Sequence, residues 1–171
     1  MIEHGVYFAH GMESGPWGRK ITALAEVARE HGFFVESPDY RFTRDPDERT
    51  RHLIALQPRA GGRLVLAGSS MGGYVAAMAD AHLEADGLFL MAPALYMPGY
   101  AQEPATKSPR IDVVHGWRDD VIPVDHSIRF ARARLADLHI LDSDHGLGDR
   151  IATLRSLFAA FLVRVLDGGG G

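Results

Sequence analysis

Ser70 stands in Gly68-Ser69-Ser70-Met71-Gly72, a G-x-S-x-G spacing with a glycine two residues to either side of the serine. A serine hydroxyl is a weak nucleophile. To attack an acyl carbon it needs a base to take its proton, an acid to hold that base in one tautomer, and N–H donors for the oxyanion that forms. The chain supplies the first two in order, as the neighbouring pair Asp119 and Asp120 and then His145. Ser, Asp, His is the chain order that accompanies this motif. The expected oxyanion donors are the backbone N–H of Met71, just after the serine, and of Met12, in the loop that follows His10-Gly11. Glu13 is expected to point away, because a carboxylate facing a developing oxyanion would oppose the reaction. Without these partners Ser70 would read only as a helix cap in a glycine-rich turn.

The elements that must position these residues follow from the apolar pattern. Residues 64–67 read as a short buried strand and the small-residue run from Gly73 onward as a helix, so the serine lies at a strand-to-helix turn, as the motif requires. Further strands are expected at 6–10, 33–36, 87–91, 111–115 and 138–141, and helices at 19–31, 46–56, 125–135 and 149–166. The last carries Ile151, Leu154, Leu157, Phe158, Phe161, Leu162 and Val165 as one apolar stripe. Strand and helix alternate throughout, which argues for an α/β fold with a parallel sheet and right-handed crossovers. In such sheets ligands bind beyond the carboxyl ends of the strands, where the loops bearing Met12, Ser70, the Asp pair and His145 all fall. The segment 92–110 is greasy for a solvent loop, with Leu95, Tyr96, Met97 and Tyr100, and is expected to wall a pocket.

Composition narrows the class. With 171 residues, 46% hydrophobic and 23% charged, the chain makes one ordinary domain, taken as residues 1–167, followed by a flexible glycine tail at 168–171. A net charge of −4 with no block of like charge leaves no nucleic-acid footprint and no basic membrane surface. The absence of cysteine removes disulfides, thiolate metal sites and cysteine nucleophiles, and the expected compartment is the cytoplasm. Neither a signal sequence nor an apolar run long enough for a membrane span is visible. Of the nine histidines, His10 and His115 belong to loop-forming His-Gly pairs and are expected to hydrogen-bond within their loops. A metal site made by these two with His145 and Asp119 is a minor alternative.

Taken together, His10-Gly11, the turn at Ser70, His115-Gly116-x-x-Asp119-x-x-x-Pro123 and Asp144-His145 resemble the α/β-hydrolase superfamily over nearly the whole chain. Among its members the chain is similar to small bacterial serine esterases that lack a lid. The resemblance implies a three-layer fold with a mostly parallel sheet and no cap domain; the chain departs from the family at its front end, where the usual antiparallel first strands are missing, so a reduced sheet of about six strands is expected. It selects Asp119 over Asp120 as the acid, because the family's acid lies four residues before the proline. Asp120 then faces outward, helping Asp125 start the next helix or pairing with Arg118. The resemblance also implies no metal, no cofactor, and hydrolysis of small acyl esters or thioesters through an acyl-serine. Trp17, Tyr74, Tyr96, Trp117 and Ile122 are the expected substrate-pocket residues.

Two other classes compete. A hydrolase scaffold can serve as a non-catalytic module that binds a small molecule or a protein. Gly11-x-x-x-Gly15-x-x-Gly18, with Asp39 after the second strand, loosely mimics the turn of a dinucleotide-binding oxidoreductase. Its spacing is wrong, Pro16 interrupts the approach to the helix, and no Tyr-x-x-x-Lys pair is present for hydride chemistry.

Overall fold

The computed structural model describes residues 1–100 and 103–168. Its six strands are β1 (His4–Ala9), β2 (Phe33–Glu36), β3 (Leu64–Ser69), β4 (Gly87–Met91), β5 (Ile111–Gly116) and β6 (Asp137–Leu141). They form one sheet in the order β2-β1-β3-β4-β5-β6, every adjacent pair parallel. The helices are α1 (Arg19–Glu30), α2 (Pro46–Ala55), α3 (Met71–Leu83), α4 (Val124–Arg134) and α5 (Ile151–Asp167).

The continuous apolar runs of the central strands reflect burial on both faces of the sheet. In β3, Val65 and Ala67 join one core with Phe89 of β4, Leu24 of α1 and Phe158 and Phe161 of α5. Leu64 and Leu66 join the other, with Leu88 and Leu90 of β4, Leu53 of α2, Tyr74 of α3 and Phe130 of α4. The α/β sandwich therefore has three layers, α1 and α5 on one face and α2, α3 and α4 on the other. The chain moves outward from β1 to β2, returns past β1 to β3, and then advances in the opposite direction. The crevice at the carboxyl ends of β1 and β3 is thus the topological switch point, where such sheets bind ligands.

Local differences from the sequence reading have identifiable causes. Helix α3 starts at Met71, directly after Ser70, instead of at Gly73. Helix α5 starts at Ile151 because Gly148–Arg150 form a separate 3-10 turn, in which the Asp149 carboxylate accepts the Ser143 hydroxyl at 2.5 Å. No cap domain is inserted. In the expected pocket wall at 92–110, of which 101–102 lie outside the described residues, Ala94 and Leu95 are instead buried in the α3-side core, and Tyr96, Met97 and Tyr100 pack against it. Buried Asp80 of α3 anchors its far end, accepting the N–H groups of Lys107 and Ser108 at 2.7 and 2.9 Å. Of the expected glycine tail, Gly168 closes α5 with its N–H on the Arg164 carbonyl at 3.1 Å, and 169–171 lie outside the described residues. Among the described residues no helix is long and apolar enough to cross a membrane.

Candidate active site

Ser70 alone separates β3 from α3, and it sits at φ 56° and ψ −120°, a conformation that L-residues rarely adopt. Its neighbours hold it there. The Ser70 N–H donates to the Met91 carbonyl at 3.0 Å, and its carbonyl accepts from Gly73 and Ala94, both at 2.9 Å. The flanking glycines are steric requirements: a Cβ at Gly68 would strike the Gly72 carbonyl, and one at Gly72 the Ala9 carbonyl. The Ser70 side chain makes no helix-capping hydrogen bond. Its Oγ lies 3.0 Å from His145 Nε2 instead.

His145 arrives on the loop after β6, which is clamped to the loop after β5 by Trp117 N–H to Leu141 O at 2.8 Å and Arg118 N–H to Ser143 O at 3.0 Å. This clamp brings His145 Nδ1 to 2.7 Å from Asp119 Oδ2. The Asp119 side chain is wholly buried, and its Oδ1 accepts the N–H groups of Val121 and Ile122, each at 2.8 Å. Burial alone would raise the Asp119 carboxyl, but the hydrogen bonds from His145, Ile122 and Val121 outweigh it and hold the group below the ordinary carboxylate range. Asp120 is exposed. Its suggested partner Arg118 pairs with Asp142 at 2.7 Å, which corrects that expectation.

A second histidine, expected only to tie its own loop, also reaches the acid. His115 Nε2 lies 3.0 Å from both Asp119 Oδ2 and the Ile122 carbonyl. A carbonyl only accepts, so Nε2 carries the proton, and Nδ1 accepts the Ser127 hydroxyl at 2.7 Å. Asp119 thus receives four donors and has one orientation available. Burial lowers the His115 pKa from its ordinary 6.5, with the Ile122 carbonyl and Asp119 opposing. The unfolded chain therefore takes up a proton that the folded chain refuses. This contribution to stability is complete above the ordinary imidazole value and is lost as pH falls from there towards the lower folded value. Buried His10 shifts in the same direction. The urea midpoint is accordingly expected to fall as pH drops below ~6.5. The slope should be shallower in His115→Gln, measured by dichroism across the same pH series.

The proposed oxyanion donors flank the serine. Met71 is the first residue of α3, so its N–H has no carbonyl one turn back. The Gly11-Met12 loop lies against the serine turn, a Cβ position at Gly11 falling 3.5 Å from Ser70 Cβ. Buried Arg49 braces this loop from behind, its Nη1 3.2 Å from the Gly11 carbonyl. Glu13 pairs with Arg44 at 2.5 Å. His10 spends both ring nitrogens locally, Nδ1 donating to Gly11 O at 2.8 Å and Nε2 accepting from Tyr40 N–H at 2.9 Å. Among the described residues no three His, Asp or Glu side chains gather closely enough to hold a metal ion.

Ser70 and His145 open onto a cleft of roughly 480 Å³, lined also by Met12, Glu13, Arg19, Lys20, Ile21, Ser69, Val121 and Ile151. None of the five expected pocket residues lines it. Tyr74 is buried with its hydroxyl on Asp47 at 2.7 Å, and Ile122 is core. Tyr96 lies under the Arg129 guanidinium at 3.8 Å, while Trp17 and Trp117 are exposed on the surface. These four aromatic residues thus lie in or against the α3-side core or at the periphery, and α1 supplies part of the cleft wall. Lys20 and Arg49 escaped the sequence reading, since each depends on a contact between elements distant in the chain, and so did the bond from His115 to Asp119, four residues on, which depends on how the loop after β5 turns back.

A parallel sheet of this order with a serine at the strand-to-helix turn defines an α/β hydrolase. The chain belongs to the uncharacterised protein family UPF0227, whose family model matches residues 6–107. It is similar to a candidate hydrolase of the alpha/beta superfamily from Xanthomonas campestris pv. campestris, with 35% identity, a TM-score of 0.86, and coverage of 94% of this chain and 98% of that one. The fold is shared by Est1E from Butyrivibrio proteoclasticus with ferulic acid bound, at 15% identity, TM-score 0.79 and coverage of 95% and 89%. It is shared too by XC6422, an a/b serine hydrolase without lid from Xanthomonas campestris, at 21% identity, TM-score 0.68 and coverage of 95% and 81%. No curated protein sequence matches the chain.

Proposed function

We propose that the protein is a serine hydrolase of the carboxylesterase or thioesterase type, acting on small acyl esters. The observation that carries this reading is the hydrogen-bonded row from Ser70 Oγ to His145 Nε2 at 3.0 Å and from His145 Nδ1 to Asp119 at 2.7 Å, opening onto a cleft of ligand size. Ser70 Oγ attacks the acyl carbon while His145 Nε2 takes its proton. The carbonyl electron pair moves onto oxygen, which the Met71 and Met12 N–H groups receive. Collapse expels the alcohol or thiol, protonated by His145, and leaves the acyl-serine. Water then attacks the acyl group, His145 again removing and returning a proton, and the acid departs. Asp119 keeps its negative charge throughout, holding the Nδ1–H tautomer and stabilising the imidazolium. None of these steps calls on a cofactor. The cytoplasm remains the proposed compartment, on the absence of cysteine.

The expected result is hydrolysis of 4-nitrophenyl acetate and butyrate that is indifferent to EDTA. Activity lost to chelator and restored by zinc would replace this mechanism with metal chemistry.

A further inference from the structure

We propose that the natural substrate carries a carboxylate, and that Lys20 recognises it. This rests on the hydrolase reading above and names the substrate class of the same site. Lys20 lies in the first turn of α1 and reaches the sheet edge, its Nζ donating to Ser69 Oγ at 2.8 Å, one residue from the nucleophile. Both side chains line the cleft. An ammonium has three donors, and this bond uses one. Several cations find carboxylates within the chain, among them Arg41 with Asp39, Arg44 with Glu13, Arg63 with Asp86, Lys107 with Glu84 and Arg164 with Asp112. Lys20 has no carboxylate within 4.0 Å among the described residues, although it is partly buried. Burial pulls its pKa down, and the more distant Asp119 and Asp144 pull it up. A partly desolvated cation with unused donors favours an anion from solution.

The rest of the lining points the same way. Its one carboxylate, Glu13, is already matched by Arg44, whereas Arg19 on the same wall has no ion-pair partner among the described residues. The titratable lining is therefore two cations, His145 and one acid that Arg44 pairs. Ile21, Val121 and Ile151 supply apolar surface for a short carbon chain beside them. This combination fits a half-ester, an acyl or alcohol group that is apolar near the ester and anionic at its end.

The test compares kcat/KM for matched pairs, with labelling of Ser70 by a fluorophosphonate checked on a separate aliquot of the same preparation. The acyl-side pair is the 4-nitrophenyl half-ester of adipic acid against 4-nitrophenyl hexanoate, and the alcohol-side pair is 4-acetoxybenzoate against its methyl ester. One pair should favour the anion by on the order of tenfold, the scale of a hydrogen bond to a charged group, and thereby identify which half bears the charge. In Lys20→Met that preference should collapse towards unity, in Lys20→Arg part of it should remain, and added salt should erode it. No preference in either pair would overturn the assignment while leaving the hydrolase intact. So would a Lys20→Met variant that slows charged and neutral esters by one common factor, because Lys20 would then serve the oxyanion or the fold. An unlabelled Ser70 with no turnover of any ester would overturn both readings.

Discussion

Ser70→Ala is expected to lose turnover by roughly 10³-fold or more while remaining folded, the scale of losing the nucleophile of such a group. The change removes one oxygen whose hydrogen-bond partner is His145, and alanine keeps the Cβ that the turn already accommodates. Its backbone strain is borne by hydrogen bonds from Ser70 to Met91, Gly73 and Ala94, which need no side chain. Ser69→Ala should be mild by comparison. The Ser69 hydroxyl accepts from Lys20 and has no bond to His145, so its loss changes one wall of the cleft and leaves the reacting atoms in place. Turnover of both variants decides the register, and a dead Ser69→Ala beside an active Ser70→Ala would shift the nucleophile by one residue.

Asp119→Asn is expected to cost turnover on the scale of the ~10⁴ lost when the acid of a serine protease is amidated. Every group facing Asp119 donates: Val121 and Ile122 N–H to Oδ1, His145 and His115 ring N–H to Oδ2. An amide brings its own two donors to that ring of donors. If its NH₂ takes the Oδ1 place, two backbone N–H groups lose their acceptor; if it takes the Oδ2 place, it faces two imidazole N–H groups. The second arrangement drives the proton of His145 to Nε2, where it can no longer accept from Ser70. Either way a buried group goes unpaired, at about 1–3 kcal/mol. The variant should therefore be less stable as well as inactive, which near-UV dichroism with urea titration will separate. Asp120→Asn should cost about tenfold or less, since an exposed carboxylate contributes little. The reverse ranking would move the acid to Asp120.

Why the fold and the hydrogen-bonded row were legible while the cleft was not follows from the physics of each. A strand buried on both faces must be apolar throughout, so Leu64 to Ala67 and Gly87 to Met91 announced themselves. Gly68 is forced by a backbone collision within its own turn, with the Gly72 carbonyl, and Gly72 by the Ala9 carbonyl of the adjacent β1, so both constraints fall on the serine's own glycine frame. The β1-β3 switch point then draws the loops bearing Met12 and Ser70 to one edge. Which side chains face the cleft depends on the crossing of α1 over the carboxyl edge, and no local pattern records that. Tyr74 and Tyr96 are as aromatic in a core as in a binding pocket. Lys20 lies between Arg19 and Ile21 in a helix that reads as ordinarily amphipathic, and only its contact with Ser69 sets it apart. Arg49 was equally silent, its partner being the Gly11 carbonyl across the fold, and the bond from His115 to Asp119, only four residues on, depends on how the loop after β5 turns back.

The central claim is that His145 and Asp119 activate Ser70. It is tested most directly by reacting the protein with a fluorophosphonate and locating the adduct by peptide mass spectrometry. One adduct is expected, on Ser70, absent in Ser70→Ala and formed far more slowly in His145→Ala. An unlabelled protein, or labelling of Ser70 at an undiminished rate without His145, would contradict it.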